Sequence, residues 1–354
     1  MQDKKTIAII GAGYLQLPLV EKARQMGLRT ICFAWAEGAV CREVCDRFYP
    51  VSITEKEEIL RICREEHISC VCTIGSDISA PTVAYVAEQM GLAGNRYEAA
   101  VRANNKYLMR QALVAAGIDC PHYRLMVQGD QLNTDGLTLP LIVKPSDRSG
   151  SLGVQKISRW EDLAPAIAEA ERLSIKGESM VEEFIEGREI SVEMISCGGI
   201  HHALQITDKV TTGAPHFVEL EHHQPSSLPA QMQTRIFAIT RRALDALGLT
   251  NGASHSEYKI TADGRIVVME IAGRMGGDFI GSHLVQLSTG YDFLRGVIEV
   301  ALGQPIEVKV KQLGSSSVVF EAAADVSCSA DRKGYTIYRN NEIYKQSVGS
   351  RTDL

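Results

Sequence analysis

Through the first hundred residues, short apolar runs alternate with amphipathic stretches, and glycines mark the joins. Thr6–Ile10 is strand-like and is turned by Gly11-Ala12-Gly13. Leu17 to Met26 has helical spacing and stops at Gly27. Thr30–Ala34 and Cys70–Ile74 are further strand runs. The amphipathic stretch Lys56–Glu66 separates them, and a Pro81–Met90 helix stopped by Gly91 follows. This β-α-β-α-β order constrains the fold more than any other feature. It predicts a doubly wound parallel sheet covered by helices. Gly94-Asn95-Arg96 reads as a linker closing the unit.

The pattern then changes. A helix from about Lys106 to Ala116 precedes strand runs at Leu139–Lys144, Ser179–Ile185 and Glu189–Ile195, with a Glu161–Arg172 helix among them. Thr207–Pro229 is polar and long, which predicts a functional or flexible loop. After a Gln231–Leu247 helix, Ser256–Ile260 and Arg265–Ile271 flank Ala262-Asp263-Gly264 as a hairpin. A Tyr291–Leu302 helix leads into β-rich stretches at Ile306–Val310, Ser315–Ala322 and Tyr335–Tyr338.

Composition removes whole function classes. Thirty-seven Lys+Arg against 43 Asp+Glu give a net charge of -6, with no basic block to follow a nucleic-acid backbone. No run approaches the roughly 18–20 apolar residues of a membrane span, and the N-terminal apolar run is too short for a signal-peptide core. The nine cysteines are scattered and odd in number, which fits reduced thiols in a cytoplasmic protein. Cys41-x3-Cys45 and Cys70-x-Cys72 are not zinc-ribbon spacings.

Four segments carry candidate chemistry. Gly11-x-Gly13 lacks the third glycine of a dinucleotide fingerprint, because Gln16 stands there, and no acid ends the second strand. It reads as a tight βα turn whose N–H groups are still able to meet an anion. Val143-Lys144-Pro145 precedes the Ser/Gly loop Ser149-Gly150-Ser151-Leu152-Gly153. Such a loop folds closely over phosphate oxygens, and a lysine neutralises them. Along Glu182-Glu183-Phe184-Ile185-Glu186-Gly187-Arg188-Glu189, Val181, Phe184 and Ile185 offer a slot for a flat base and Glu189 an acceptor for ribose hydroxyls. The same stretch also fits an exposed acidic hairpin. Glu257 and Glu270 fall on the two hairpin strands, where antiparallel pairing can bring both to one face. Two such carboxylates repel unless a cation lies between them, and Mg²⁺ prefers hard oxygen ligands. Arg274, in a glycine-rich loop, has the fork to clamp a carboxylate or acyl phosphate. Two solvated glutamates and a surface arginine are the alternative.

In this order the motifs resemble the ATP-grasp superfamily, in which ATP sits between two α+β subdomains. The resemblance covers roughly residues 1–305. It implies an N-terminal α/β lobe (1–97), a linker helix (98–119), a lid subdomain (120–190), a catalytic subdomain (191–304) and a short β-rich C-terminal segment (305–354). By match, Lys106 and Lys144 contact phosphates under the Ser149, Gly150, Ser151 and Gly153 loop. Glu182 and the backbone of Glu183, Phe184 and Ile185 hold adenine, and Glu189 takes the ribose. Glu257 and Glu270 hold Mg²⁺, with Mn²⁺ as a substitute. The family usually has Glu-x-Asn-x-Arg at the second ligand, whereas this chain has Glu270-Ile271-Ala272-Gly273-Arg274.

Within the superfamily the chain looks closest to carboxylate–amine ligases of the amino-acid (dipeptide) branch. Glu219-Leu220-Glu221-His222-His223-Gln224-Pro225 resembles that branch's substrate loop, and Ser254-His255-Ser256-Glu257-Tyr258-Lys259 its metal strand. Gly273–Asp278 resembles its arginine loop. The match implies that Glu219, His222, Arg274 and Gly277 approach the substrate, with Arg274 and Lys144 catalytic. An exposed polar loop is the alternative for His222-His223, and Lys209 fits a solvated loop lysine at least as well as a ligand contact. The implied activity is ATP-dependent activation of a carboxylate, then amide formation with an amine; the sequence names neither substrate. Three other readings remain: a bicarbonate- or carbamate-activating enzyme, a non-catalytic ATP-binding regulator and a nicotinamide oxidoreductase. The expected partners are ATP, an amino acid and a second small substrate, with no nucleic acid or membrane. A homodimer is a further expectation.

Overall fold

The computed structural model describes residues 4–127, 129–130, 134–148, 152–214, 216–322 and 332–348. Strand β1 (Thr6–Ile10) is buried on both faces, as a parallel central strand must be. Ile7 and Ile9 pack on one side, Ala8 and Ile10 on the other. With β2 (Arg29–Phe33), β3 (Arg47–Tyr49) and β4 (Cys70–Cys72) it makes a parallel sheet of order β3-β2-β1-β4. Helices α1 (Leu17–Gln25), α2 (Lys56–Glu65) and α3 (Ala80–Gln89) cover it. The three-residue strand β3 escapes a periodicity reading because three residues carry no period.

The stretch read as one linker helix (98–119) contains two, α4 (Tyr97–Asn104) and α5 (Lys106–Ala115), one directly after the other. Asn105 separates the two, and its side chain accepts from Leu108 N at 3.0 Å to cap α5. A second sheet, of order β5-β8-β6-β7, contains β5 (Tyr123–Val127), β6 (Leu141–Pro145), β7 (Gln155–Ile157) and β8 (Glu178–Glu183). Helix α6 (Leu163–Leu173) packs on it through Ala166, Ile167 and Ala170.

The third sheet has eight strands: β9 (Arg188–Cys197), β10 (Ile200–Thr211), β11 (Glu219–Gln224), β12 (Gly252–Ile260), β13 (Ile266–Ala272), β14 (Ser316–Ala322), β15 (Arg332–Arg339) and β16 (Glu342–Val348). One face packs on α5 and α7 (Ala230–Leu247) through Ile190, Val192, Met194 and Val268. Each fully buried side chain of that size contributes about 1.5–3 kcal/mol. Helices α8 (Val285–Thr289) and α9 (Phe293–Ala301) complete the α-helices among the described residues. Helix α9 bridges to the parallel sheet, where Phe293 and Val297 join Ile7 and Ile9 in one core.

Three expectations are corrected. The polar stretch Thr207–Pro229 is no continuous loop, because the end of β10 and all of β11 pair there as sheet. Its polar side chains serve one another across the ladder, which a sequence reading registers as a loop. The Glu182–Glu189 stretch is no exposed hairpin. Strand β8 lies in the four-stranded sheet and β9 in the eight-stranded one, so the chain crosses between sheets there. Gly187 sits so close to the β12 end that a Cβ would lie 2.5 Å from Ile260 O. Ile306–Val310 forms no strand. It is a connector whose continuation is tied through Lys311 N to Thr289 O and Leu313 N to Ser288 O.

Candidate active site

A cavity of about 230 Å³ opens between the four-stranded sheet and the inner face of the eight-stranded sheet. Lys106, Lys144 and Ile142 line one wall, and Glu257, Glu270 and Arg274 the other. Register explains the second wall. Glu257 stands directly opposite Glu270 in the β12–β13 ladder, beside a bulge between Glu257 and Tyr258. Opposed residues share a face, and both carboxylates border the cavity. Tyr258 bonds Thr240 of α7 through its hydroxyl at 2.7 Å.

The first wall is built on a buried charge triad. Glu182, 1% exposed, accepts from Arg110 Nε at 2.9 Å and lies 2.6 Å from Lys144 Nζ. Arg110 also donates to Met269 O at 2.7 Å. Burial pushes the Glu182 carboxyl up, but Arg110 and Lys144 overcome it and hold the group at about 2. Burial pulls the Lys144 ammonium down, and Glu182 offsets that only in part. Lys106 is held at the cavity by its Nζ donating to Arg148 O at 2.5 Å, and sits 3.6 Å from Glu270 Oε1.

Of the residues expected around a nucleotide, Phe184, Ile185 and Glu189 border the cavity. Glu183 does not; its carboxylate pairs with Arg265 at 3.3 Å. The Glu183 and Phe184 amides are already taken, donating to His122 O and Pro140 O. Glu189 pairs with Lys259 at 3.1 Å, and Lys156 lies 3.8 Å over the Phe184 ring. Gly153 has φ +73, and a Cβ there would meet Leu173 at 2.8 Å, so both conformation and space demand glycine. Ser149, Gly150 and Ser151 lie outside the described residues.

Deeper in, charges alternate. Lys209 is neither solvated nor in a loop: it is buried on β10, pairs with Glu219, and lies 2.6 Å from Glu257. The two carboxylates outweigh burial and raise its ammonium. Burial favours the neutral form of Glu219, yet Lys209 leads the groups that bring it to about 2. His222, wholly buried rather than exposed, has Nε2 3.2 Å from Glu219 and 3.9 Å from Asp278, without hydrogen-bond alignment. Burial lowers its imidazolium, but those carboxylates prevail and raise it. Arg332 grips Asp278 through two N–H groups at 2.7 and 2.9 Å. His255 pairs with the buried Glu193, and its other nitrogen is 3.3 Å from Glu257. Burial again lowers the imidazolium, and Glu193 leads the carboxylates that lift it to about 9.

Arg274 meets a protein carboxylate: Nε and Nη2 reach Asp77 at 2.7 and 2.8 Å. Gly277 lies against Gly75 and Leu15 of the parallel lobe. At the Gly11-x-Gly13 turn, the anion-binding N–H groups are already taken. Gly13 N donates to Gln16 Oε1 at 3.0 Å and Gly11 N to Phe33 O at 2.8 Å.

Two sets of donors are candidates for a cation. Glu257 and Glu270 present only hard oxygens to an open cavity, which fits Mg²⁺ and phosphate oxygens. Glu219, His222 and Asp278 also place donor atoms within 4.8 Å of one another. There Arg332 holds Asp278, and Glu219 shares Lys209 with Glu257; what separates the two sets is that His222 and Asp278 do not border the cavity.

Comparison with known proteins agrees with this arrangement. The ATP-grasp domain family matches residues 137–282, a span that holds Lys144, Glu257, Glu270 and Arg274 of the cavity but not Lys106 or Asp77. The chain carries an ATP-grasp domain. Over 249 residues it is 27% identical to the D-alanine–D-alanine ligase of Geobacter sulfurreducens, covering 66% of this chain and 76% of that one. The alanine–anticapsin ligase of Bacillus subtilis is 26% identical over 245 residues, covering 62% of this chain. That match spans about half of the Bacillus ligase, 51%. An L-amino acid ligase structure from Bacillus licheniformis superposes with a TM-score of 0.78, at 24% identity, covering 91% of this chain and 81% of that one. The phosphoribosylglycinamide synthetase of Anaerococcus prevotii gives 0.75 at 21% identity, covering 92% and 82%. The ATP-grasp chain thus resembles carboxylate–amine ligases near the amino-acid ligase branch. No helix among its described residues is long and apolar enough to cross a membrane.

Sequence reading had assigned no role to Asp77, Arg110, Glu193, Asp278 or Arg332. Asp77 had a usable signal: it follows β4, at the carboxyl end of a parallel strand, where α/β sheets place ligand-facing groups. The others act through partners far away in the chain, which no local pattern reveals.

Proposed function

We propose that this protein is an ATP-dependent carboxylate–amine ligase that uses an amino acid as a substrate. The observation that carries the reading is the cavity itself: Lys106, Lys144 and the opposed Glu257 and Glu270 all border one space, with Lys106 3.6 Å from Glu270. Positive groups beside a pair of hard carboxylates suit a polyphosphate with its divalent ion. Glu257 and Glu270 would hold Mg²⁺ or Mn²⁺, which supplies charge neutralisation at the phosphates.

In the reaction, a carboxylate oxygen of the substrate attacks the γ-phosphorus, and ADP leaves. The amine nitrogen then attacks the acyl carbon, the C–O bond to phosphate breaks, and the nitrogen gives up a proton. Lys106 and Lys144 spread the charge of the moving phosphoryl group. Phe184, Ile185 and Glu189 receive the nucleoside. Arg274 stabilises the acyl-phosphate oxygen, while Glu219 faces the amino-acid end, with the buried His222 behind it. The lid, residues 120–190, excludes water that would hydrolyse the intermediate. A cytoplasmic location, where ATP is available, accords with free thiols at the described cysteines.

The test is phosphate release by the wild type and Glu270→Gln with MgATP and a pool of amino acids. The expected result is amino-acid-dependent release in the wild type and its near loss in the variant. Full retention in the variant overturns the metal assignment. Release that requires bicarbonate instead of amino acids overturns the choice of substrate.

A further inference from the structure

The loop carrying Arg274 is fastened to the N-terminal lobe. Ile74 and Met275 form a parallel bridge, and Gly75 N donates to Met275 O at 3.1 Å. Gln16 Nε2 donates to Ile74 O at 2.6 Å, bracing the strand end from behind. Asp77 lies just beyond. Its two oxygens take Nε–H and one Nη2–H of Arg274, and Nη1 donates to Met275 O at 3.2 Å. The side chains are only 13% and 14% exposed, and both border the main cavity.

A guanidinium has five N–H donors in a rigid plane. Asp77 consumes the edge formed by Nε and Nη2, and Met275 takes a third donor. One N–H on each terminal nitrogen remains. A bidentate pair fixes the plane as well as the position of the fork. Asp77 therefore decides where the two remaining donors point, and it does so from a different lobe than the one that carries Arg274.

We propose that Asp77 is a positioning residue: by holding Arg274 edge-on, it aims the free N–H groups at the carboxylate being activated. The N-terminal lobe thereby becomes part of the acyl-transfer site. This inference rests on the ligase reading, in which Arg274 meets the acyl phosphate. Asp77→Asn is nearly isosteric, but it sets an amide NH₂ against an arginine donor and removes the charge. The backbone bridge between Ile74 and Met275 does not use this side chain, so the lobes stay joined.

The experiment compares wild type, Asp77→Asn, Asp77→Glu, Arg274→Lys and Asp77→Asn/Arg274→Lys. Calorimetry with a non-hydrolysable MgATP analogue measures nucleotide affinity, and phosphate release with the twenty standard amino acids measures turnover. The expected result for Asp77→Asn is analogue affinity within about twofold of wild type and a kcat/KM for amino acids at least about tenfold lower, a loss typical of a misoriented reacting group. Asp77→Glu recovers part of that loss, and the double variant is no worse than Arg274→Lys alone, because the two residues act as one unit. A kcat/KM within about twofold of wild type for Asp77→Asn overturns the proposal. So does an additive double variant. A wild type that binds the analogue but releases no phosphate with any amino acid removes the ligase reading, and the proposal falls with it.

Discussion

Glu257 and Glu270 face each other across one rung of the β12–β13 ladder, and each already has a lysine at hand. Lys209 Nζ is 2.6 Å from Glu257, and Lys106 Nζ is 3.6 Å from Glu270. Lysines on both flanks leave the pair near charge balance, so a divalent ion is held best together with an anionic nucleotide. Mn²⁺ binding followed by electron paramagnetic resonance should therefore be weak alone and strong with an ATP analogue. Glu257→Gln and Glu270→Gln should each weaken it by at least about tenfold, the size seen even for residues that only support a ligand.

The Arg110–Glu182–Lys144 triad should behave as a buried unit. Glu182→Gln leaves two buried cations without their carboxylate, which typically costs about 3–5 kcal/mol. Urea denaturation would show the midpoint fall. Acid should act on the same group. Its carboxyl is depressed to about 2 from 4.5, so its contribution is complete above pH 4.5 and fades as the pH drops toward 2. Glu182→Gln should flatten that part of the stability curve.

His255 works in the opposite direction. Its imidazolium is raised to about 9 from 6.5. The stabilisation is therefore complete below pH 6.5 and is lost as the pH rises through 9. Metal-free protein should melt at progressively lower temperature across that window, and His255→Gln should remove most of the slope. A slope unchanged in His255→Gln would assign it to other groups.

Gly276 has no room for a methyl group. A Cβ would lie 2.6 Å from Glu193 Oε1 and 2.8 Å from His255 Nδ1, and Gly276 N donates to Glu193 Oε2 at 3.0 Å. Gly276→Ala should destabilise by about 1–3 kcal/mol through overpacking. It should also depress turnover more than the loss of stability explains, because the same shift moves the Arg274 loop. Calorimetric melting and a phosphate-release assay at a temperature where the variant is folded separate the two effects.

Nucleotide preference is open to a direct check. A MgATP analogue at a hundredfold excess over its Kd should add about 2.7 kcal/mol of stability. NAD should add nothing, since Gln16 fills the turn that its pyrophosphate would need. A thermal-shift panel reads both at once.

Sequence alone determined three of the four strands of the N-terminal parallel sheet, because β1, β2 and β4 lie in apolar runs separated by helical stretches, and those signals are local; β3 is too short to carry one. It also determined the Glu257–Glu270 pair, because a hairpin turn fixes register and register fixes which side chains share a face. It did not determine Lys209 or His222. Their polarity reads as a solvated loop, whereas in the fold Lys209 pairs opposite His222 on adjoining strands and their charges are met by Glu219 and Glu257. It did not determine the Asp77–Arg274 pair either. Those residues lie 197 positions apart and in different lobes. Only the packing of the parallel lobe against the large sheet brings them within hydrogen-bond reach. Local patterning sets which elements form, and long-range packing sets which charges meet.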